Sequence, residues 1–304
     1  MQRAASYDAT TDRAATPSRA ADFLSLTKPR LNSLVLVTTA AAYYLGGGEE
    51  LSWLLLFNTM TGTALVAGGA SALNQYAERE TDRLMRRTKM RPLPDRRLAP
   101  PDALWFGILL SSIGVAQLSL FVNQLTALVA LLTMVSYVLV YTPLKTRSSL
   151  STIVGAVPGA LPAVIGWTAA TNTVSIEAWV LFAIVFMWQM PHFLAIAWMC
   201  RDDYARAGIP LLPVIQPDGR TTGSQSVLYT AALIPISLLP TVVGLSSMYY
   251  AVGAITLAAV LMVLSLEFAG TRTMAAARRL FLGTILYLPI LWIVLLADHY
   301  THRV

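Results

Sequence analysis

Charge is what this sequence lacks. Only 12% of its 304 residues are Asp, Glu, Lys or Arg, while 56% are hydrophobic, and mean hydropathy is +0.59. Soluble domains carry about 25% charged residues. A chain this short of charge cannot cover a water-facing surface with polar groups, so lipid must cover it. Cysteine is nearly absent too. Cys200 stands alone, which excludes an internal disulfide framework and a cysteine metal cluster. At the end of an apolar run it reads as a small packing residue. Histidine is scarce: His192 lies in an apolar run, and His299 and His302 read as a solvated C-terminal tail. A cleavable signal peptide is not expected, because the first apolar run starts too late. Residues 1–22 are polar and aperiodic and read as a disordered tail. Their Asp8, Asp12 and Asp22 argue against an acid-poor mitochondrial transit peptide, which favours a bacterial inner (plasma) membrane.

What is present is a series of apolar runs, near 32–46, 52–77, 103–121, 124–142, 151–169, 177–199, 225–245, 251–269 and 280–298. Crossing a bilayer as helix takes about 20 apolar residues. The expectation is an all-α polytopic membrane protein of about nine transmembrane helices, with residues 23–304 as a single domain. With nine spans, 21 of the 22 Lys and Arg residues fall on one side, and only Arg303 falls on the other. Basic residues near helix ends are retained in the cytoplasm. The N-terminus is therefore expected in the cytoplasm and the C-terminus outside. Prolines interrupt several spans (Pro158, Pro162, Pro191, Pro235, Pro240 and Pro289), and such kinks help helices enclose a cavity.

The sharpest chemical signal is Asn74-x3-Glu78-x3-Asp82. Steps of four rotate a helix by only about 40°, so three oxygen-bearing side chains share one face over roughly 12 Å. They stand where an apolar span meets the basic side. Glu78 and Asp82 are a like-charge pair that wants a cation between them. Oxygen ligands of this kind suit Mg²⁺, which takes one or two carboxylates plus substrate phosphates. Eight basic residues follow between 79 and 97. They serve topology or anionic lipid, and a Mg²⁺-bridged diphosphate would also give carboxylates and arginines a reason to stand together.

Asp202-Asp203-Tyr204 is a second acidic site, directly after the span bearing Trp188-Gln189-Met190-Pro191-His192-Phe193. The two acidic loops lie four spans apart and share a short proline-rich ending, Arg91-Pro92-Leu93-Pro94 and Gly208-Ile209-Pro210-Leu211-Leu212-Pro213. A weak four-helix repeat would make them face each other and hold two metals on one diphosphate. His192 reads either as a hydrogen-bonded packing residue or as a substrate or haem contact. Lys145, closing Tyr141-Thr142-Pro143-Leu144-Lys145, reads either as a topology charge or as a phosphate contact.

Taken together, these motifs resemble the UbiA superfamily of intramembrane prenyltransferases, over about residues 23–298. Arg87-Thr88-x2-Arg91-Pro92-Leu93, the stretch from Gly155 to Trp167, Trp188 to Phe193, and Asp202-Asp203-Tyr204-x2-Ala207-Gly208-Ile209-Pro210-x2-Pro213 are similar to its haem-farnesylating branch. Two departures stand out. Glu78 occupies a position that is usually Asp in the family, and Ser148-Ser149-Leu150-Ser151 replaces a commoner Thr-Pro-Leu-Asn pattern. The resemblance implies helices ringed around a central cavity. It also implies transfer of farnesyl from farnesyl diphosphate to a vinyl group of haem B, with addition of water, giving haem O and diphosphate for terminal oxidases. The metal ligands would be Asn74, Glu78, Asp82 and Asp203, with Asp202 as a further catalytic acid. Arg87, Arg91 and Lys145 would hold diphosphate. Tyr141, Trp188, His192 and Phe193 would contact substrate, the aromatic faces stabilising the growing allylic cation. Haem A synthase or an oxidase assembly is an expected associate. Two alternatives remain: a prenyltransferase acting on a quinone or other aromatic precursor, and a transporter. The clustering of acids beside arginines at one surface, with only Glu267 as an interior acid, argues against a conduction path.

Overall fold

The computed structural model describes residues 18–47 and 51–303. The first 17 residues of the expected tail and Gly48, Glu49 and Glu50 of the first outside loop lie outside the described residues. Every described regular element is a helix. The first, α1 (Arg19–Leu26), begins inside the stretch read as disordered. Ser18 caps it by accepting a hydrogen bond from the Ala21 amide at 3.2 Å. Asp22 is buried against Arg97, 3.1 Å away, so this short helix is tied to the basic loop that follows the third helix.

The long helices follow in order: α2 (Pro29–Gly46), α3 (Trp53–Leu84), α4 (Pro100–Phe121), α5 (Gln124–Leu144), α6 (Ser151–Thr171) and α7 (Ile176–Met199). Two short helices, α8 (Arg201–Arg206) and α9 (Leu212–Ile215), fill the second acidic loop. Then come α10 (Arg220–Ser237), its continuation α11 (Leu239–Val242), α12 (Met248–Thr271) and α13 (Met274–Arg303). Among the described residues, eight helical segments are long and apolar enough to cross a membrane, counting α10 with α11 as one. The expected first span, α2, is the exception. It spans about 27 Å, but Arg30, Asn32 and two threonines lower its hydropathy. Arg30 is exposed, while two of the others are satisfied inside the bundle. Asn32 donates to the Thr27 carbonyl at 2.6 Å, and Thr39 donates to the Pro162 carbonyl at 3.2 Å. Helices of this kind turn apolar side chains outward, Phe57, Leu109, Leu132, Val263 and Ile293 among them, as a lipid-facing surface requires.

Small residues set the closest approaches. A Cβ on Gly114 would sit 2.8 Å from the Gly62 carbonyl, and one on Gly69 would sit 2.7 Å from that of Gly107. The backbones of α3 and α4 therefore touch at two levels. Pro158 and Pro162 interrupt α6, Pro191 interrupts α7, and Pro289 interrupts α13.

The basic loops gather at one end of the bundle. There Arg83 donates to the Pro94 carbonyl, Asp203 accepts from the loop after α3, and Glu267 pairs with Arg279. Glu267 is thus half-exposed at the charged end, not an interior acid of its span. The C-terminal part of α13 lies at the other end. Asp298 accepts from the Ser247 amide at 2.6 Å, and His299 Nδ1 lies 2.8 Å from the Leu245 carbonyl. His299 is buried, so the expectation of a solvated residue fails. Part of the reason is the 245–247 loop, which folds over the last turns of α13. A cavity of about 370 Å³ lies within the bundle, walled by α2, α3, α5, α6 and α7, with Tyr204 and Leu211 at its charged end.

Candidate active site

The site grows from one face of α3. Asn74, Glu78 and Asp82 are all buried there, as the four-residue spacing predicts. Each oxygen-bearing side chain meets its own cation. Lys28 Nζ donates to Asn74 Oδ1 at 3.0 Å. Lys145 Nζ lies 3.0 Å from both oxygens of Glu78. Arg91 Nη1 lies 2.7 Å from Asp82 Oδ2. The three cations come from three different loops, so the like-charge problem of the α3 face is solved by tertiary structure. Asn74 also donates to Thr142 Oγ1 at 3.1 Å, which ties α3 to the end of α5.

That end of α5 is a π-helical segment, Ser136–Tyr141. The wider turn accommodates Pro143 and brings Tyr137 and Tyr141 to the cavity wall, stacked with centroids 5.4 Å apart. Such segments recur at functional sites. Lys145 follows directly and lines the cavity. Burial pulls its pKa down, but Tyr141, Glu78 and Tyr204 together outweigh burial and hold it above the ordinary lysine value. Lys28 behaves in the opposite way: burial and the nearby Arg91 lower its pKa to about 8.

The second acidic loop does reach the first. Asp203 accepts from the Arg86 and Arg87 amides at 3.1 and 3.4 Å and pairs with Arg206. Arg87 donates to the Tyr204 hydroxyl at 3.3 Å, and Tyr204 lines the cavity. Asp202 points outward, its carboxylate 3.8 Å from Arg201. Among the described residues, no three His, Cys, Asp or Glu side chains converge as a ready metal cage. In particular, Asp203 does not stand with Asn74, Glu78 and Asp82. Its carboxylate is turned instead to the Arg86 and Arg87 amides and to Arg206. The α3 face still fits a divalent cation that arrives with phosphate. Mg²⁺ needs only one or two protein carboxylates, and Asp82 Oδ1 is a buried carboxylate oxygen with no hydrogen-bond partner.

Of the residues expected at substrate, Tyr141, Lys145 and Phe193 line the cavity. Arg87 reaches its charged end through Tyr204, whereas Arg91, paired with Asp82, does not line it. Trp188 and His192 do not line it. They face α13 instead, where Trp188 Nε1 donates to the Thr284 carbonyl at 2.7 Å and His192 meets the Thr284 hydroxyl at 2.8 Å. The face that α7 gives to the cavity carries Gln189, Phe193 and Ile196. Two residues at the site escaped the sequence reading. Lys28 read as one more topology charge, although Lys28-Pro29 at a helix start was a signal that it stays close to the helix mouth. Tyr137 carried no signal, because a π segment has no distinctive sequence.

Comparison with known proteins settles the family. The model of the UbiA prenyltransferase family matches residues 35–294. The chain belongs to that family. Its relatives include a protoheme IX farnesyltransferase from Solibacter usitatus, 46% identical over 286 residues that make up 91% of this chain and 98% of that protein. Another protoheme IX farnesyltransferase, from Myxococcus xanthus, is 43% identical and covers 93% of this chain and 96% of the relative. Among solved structures, digeranylgeranylglyceryl phosphate synthase superposes with a TM-score of 0.78 at 14% identity, over 93% of this chain and 99% of that one. A UbiA homolog from Archaeoglobus fulgidus, solved bound to GPP and Mg²⁺, gives a TM-score of 0.61 at 14% identity, over 90% and 99% of the two chains. At these identities the structures establish the shared UbiA fold.

Proposed function

We propose that this protein transfers the farnesyl group of farnesyl diphosphate to a vinyl group of haem B. Water adds at the same vinyl group, and the products are haem O and diphosphate. The observation that carries the acceptor is the end-to-end similarity, above 40%, to curated protoheme IX farnesyltransferases. The donor is supported by the site itself: the apolar cavity reaches Lys145 and Tyr204, and these join it to Glu78 and to Arg87 of the charged cluster on α3 and its following loop. In this reading Asp82 and Glu78, with Asn74 beside them, would hold Mg²⁺, which would supply charge neutralisation for the diphosphate. Lys28, Lys145, Arg91 and Arg87 then contact its oxygens. These contacts strengthen as the leaving group gains charge, so they lower the barrier rather than only tightening binding. Tyr137, Tyr141 and Phe193 face the allylic fragment, which gains positive charge. Asp203 and Asp202 act from the second loop, Asp203 by holding the arginine-bearing segment 86–87 in place.

The membrane frame of this proposal is a bacterial inner membrane crossed nine times, with α2 as the ninth span. The charged end faces the cytoplasm and the C-terminus lies outside, as the distribution of basic residues requires. Transient association with haem A synthase or oxidase assembly would follow from the insolubility of the product.

The test is turnover by purified protein in micelles with farnesyl diphosphate, Mg²⁺ and one acceptor at a time. Diphosphate release that requires haem B supports the assignment. Release with a hydroxybenzoate or naphthoate acceptor but not with haem would replace it with a quinone-type reaction. Chelation of divalent cations is expected to stop turnover, and turnover that persists would remove the metal from the account.

A further inference from the structure

The first turn of α6 carries a hydroxyl that the fold itself does not use. Ser151 is fully buried, and among the described residues its Oγ has no hydrogen-bond partner. Other hydroxyls in the bundle spend their hydrogen on the carbonyl four residues back. Thr59 donates to Leu55, Thr133 to Val129 and Thr168 to Val164 in this way. Ser151 opens its helix, so no helical turn precedes it to offer such a carbonyl. Nor does the turn before it need the hydroxyl. Ser148 closes that turn: its Oγ accepts from the Leu150 amide and its carbonyl from the Ser151 amide, both at 3.2 Å. A buried hydroxyl left unpaired is unfavourable and needs a reason.

The cavity supplies one, because Ser151 and the next residue, Thr152, both line it. Their level is set by the hairpin of α5 and α6. The ring of Tyr141 lies against Gly155, where a Cβ would sit 2.6 Å from Tyr141 Cδ2. One turn beyond Tyr141 comes Lys145, and one turn before Gly155 comes Ser151, each about 6 Å nearer the charged end. Ser151 therefore stands level with Lys145, which also lines the cavity and holds Glu78. The positive end of the α6 dipole lies at the same place and favours negative charge there. Thr63 also lines the cavity with an unpartnered hydroxyl. It stands about 22 Å along α3 from Glu78, on the apolar side and far from the cations.

We propose that the Ser151 hydroxyl donates a hydrogen bond to a diphosphate oxygen of the prenyl donor, beside Lys145. The start of α6 then forms a further wall of the diphosphate site, in addition to α3 and the loop after it. Diphosphate oxygens only accept, and the hydrogen of Ser151 is uncommitted. No bond inside the protein has to be broken to make the contact, so little offsets it. The inference rests on the reading that the donor is a prenyl diphosphate, and it does not depend on the acceptor.

The experiment is calorimetric binding of three probes, farnesyl diphosphate, inorganic diphosphate and farnesol, to full-length wild type and Ser151→Ala in micelles with Mg²⁺. The unfolding midpoint of each protein is measured without ligand. Ser151→Ala is expected to bind both diphosphates on the order of tenfold more weakly and farnesol as wild type does. Its ligand-free midpoint should equal or exceed that of wild type, because the hydroxyl removed had no partner. Unchanged affinity for farnesyl diphosphate overturns the proposal. Equal weakening of all three probes also overturns it, because Ser151 would then shape the cavity and not hold phosphate. A lower ligand-free midpoint, or failure to fold, overturns it as well, because the hydroxyl would then serve the fold. Wild type that binds neither diphosphate overturns the donor reading and this inference together. Wild type that binds farnesyl diphosphate no better than Ser151→Ala removes this inference alone.

Discussion

Replacing Lys145 with methionine keeps the aliphatic stem and removes one charge from a nearly closed environment. Lys145 Nζ sits 3.0 Å from both Glu78 oxygens, and the two side chains are only 14% and 7% exposed. Without the ammonium, Glu78 becomes a buried carboxylate with no direct ion-pair partner, Lys28 acting on it only at longer range, which costs up to about 3–5 kcal/mol. Replacing both partners by neutral groups of similar shape removes that penalty, because buried pairs often break even against neutral replacements. Lys145→Met is therefore expected to lower the thermal unfolding midpoint in micelles by several degrees. Glu78→Gln/Lys145→Met should recover most of that loss. Activity should separate from stability. Both variants lose groups assigned to the diphosphate, so kcat/KM for farnesyl diphosphate should fall on the order of 100-fold or more in each. A single variant with an unchanged midpoint would refute the buried-pair argument. A double variant with restored turnover would refute the role given to these two residues.

Other outcomes follow from the same geometry. Lys28 in the free protein titrates near pH 8, and its charged form is the one that attracts diphosphate. The kcat/KM for farnesyl diphosphate should therefore fall as pH rises through about 8, and Lys28→Arg should abolish that limb. Ala67 lines the cavity, two helical turns or about 10 Å from Asn74. Ala67→Phe should shorten the accommodated chain, which a competition between geranyl and farnesyl diphosphate would read as a shift toward geranyl. At the far end of the bundle, Asp298→Ala removes the acceptor for the Ser247 amide and hydroxyl. It should cost about 2 kcal/mol of stability with no change in the product formed.

The oxygen face of α3 was legible because helix geometry alone aligns residues four apart, and the apolar runs marked the long helices, although with ends off by up to seven residues. Orientation within an all-apolar helix was not legible. Helix α7 is hydrophobic on every side, so nothing in its sequence separates the face of Phe193, toward the cavity, from the face of Trp188, toward α13. The partner of each carboxylate was equally hidden. Lys28 and Lys145 reach Asn74 and Glu78 across 46 and 67 positions, and Arg91 reaches Asp82, nine positions back, only because the loop after α3 folds onto the helix end. In the sequence these cations could not be told from topology signals. The tail residue His299 looked solvated because the chain segment that covers it, around Leu245, lies more than fifty positions away.

The most direct test of the central claim is mass analysis of haem extracted from membranes that contain this chain, with farnesyl diphosphate supplied, beside an Asp82→Ala control. The account predicts a hydroxyethylfarnesyl haem with the intact chain and none with the control, although both insert equally. Unmodified haem B alone from well-inserted wild-type protein would contradict haem as the acceptor. The same product from Asp82→Ala would contradict the α3 carboxylate face as the diphosphate site.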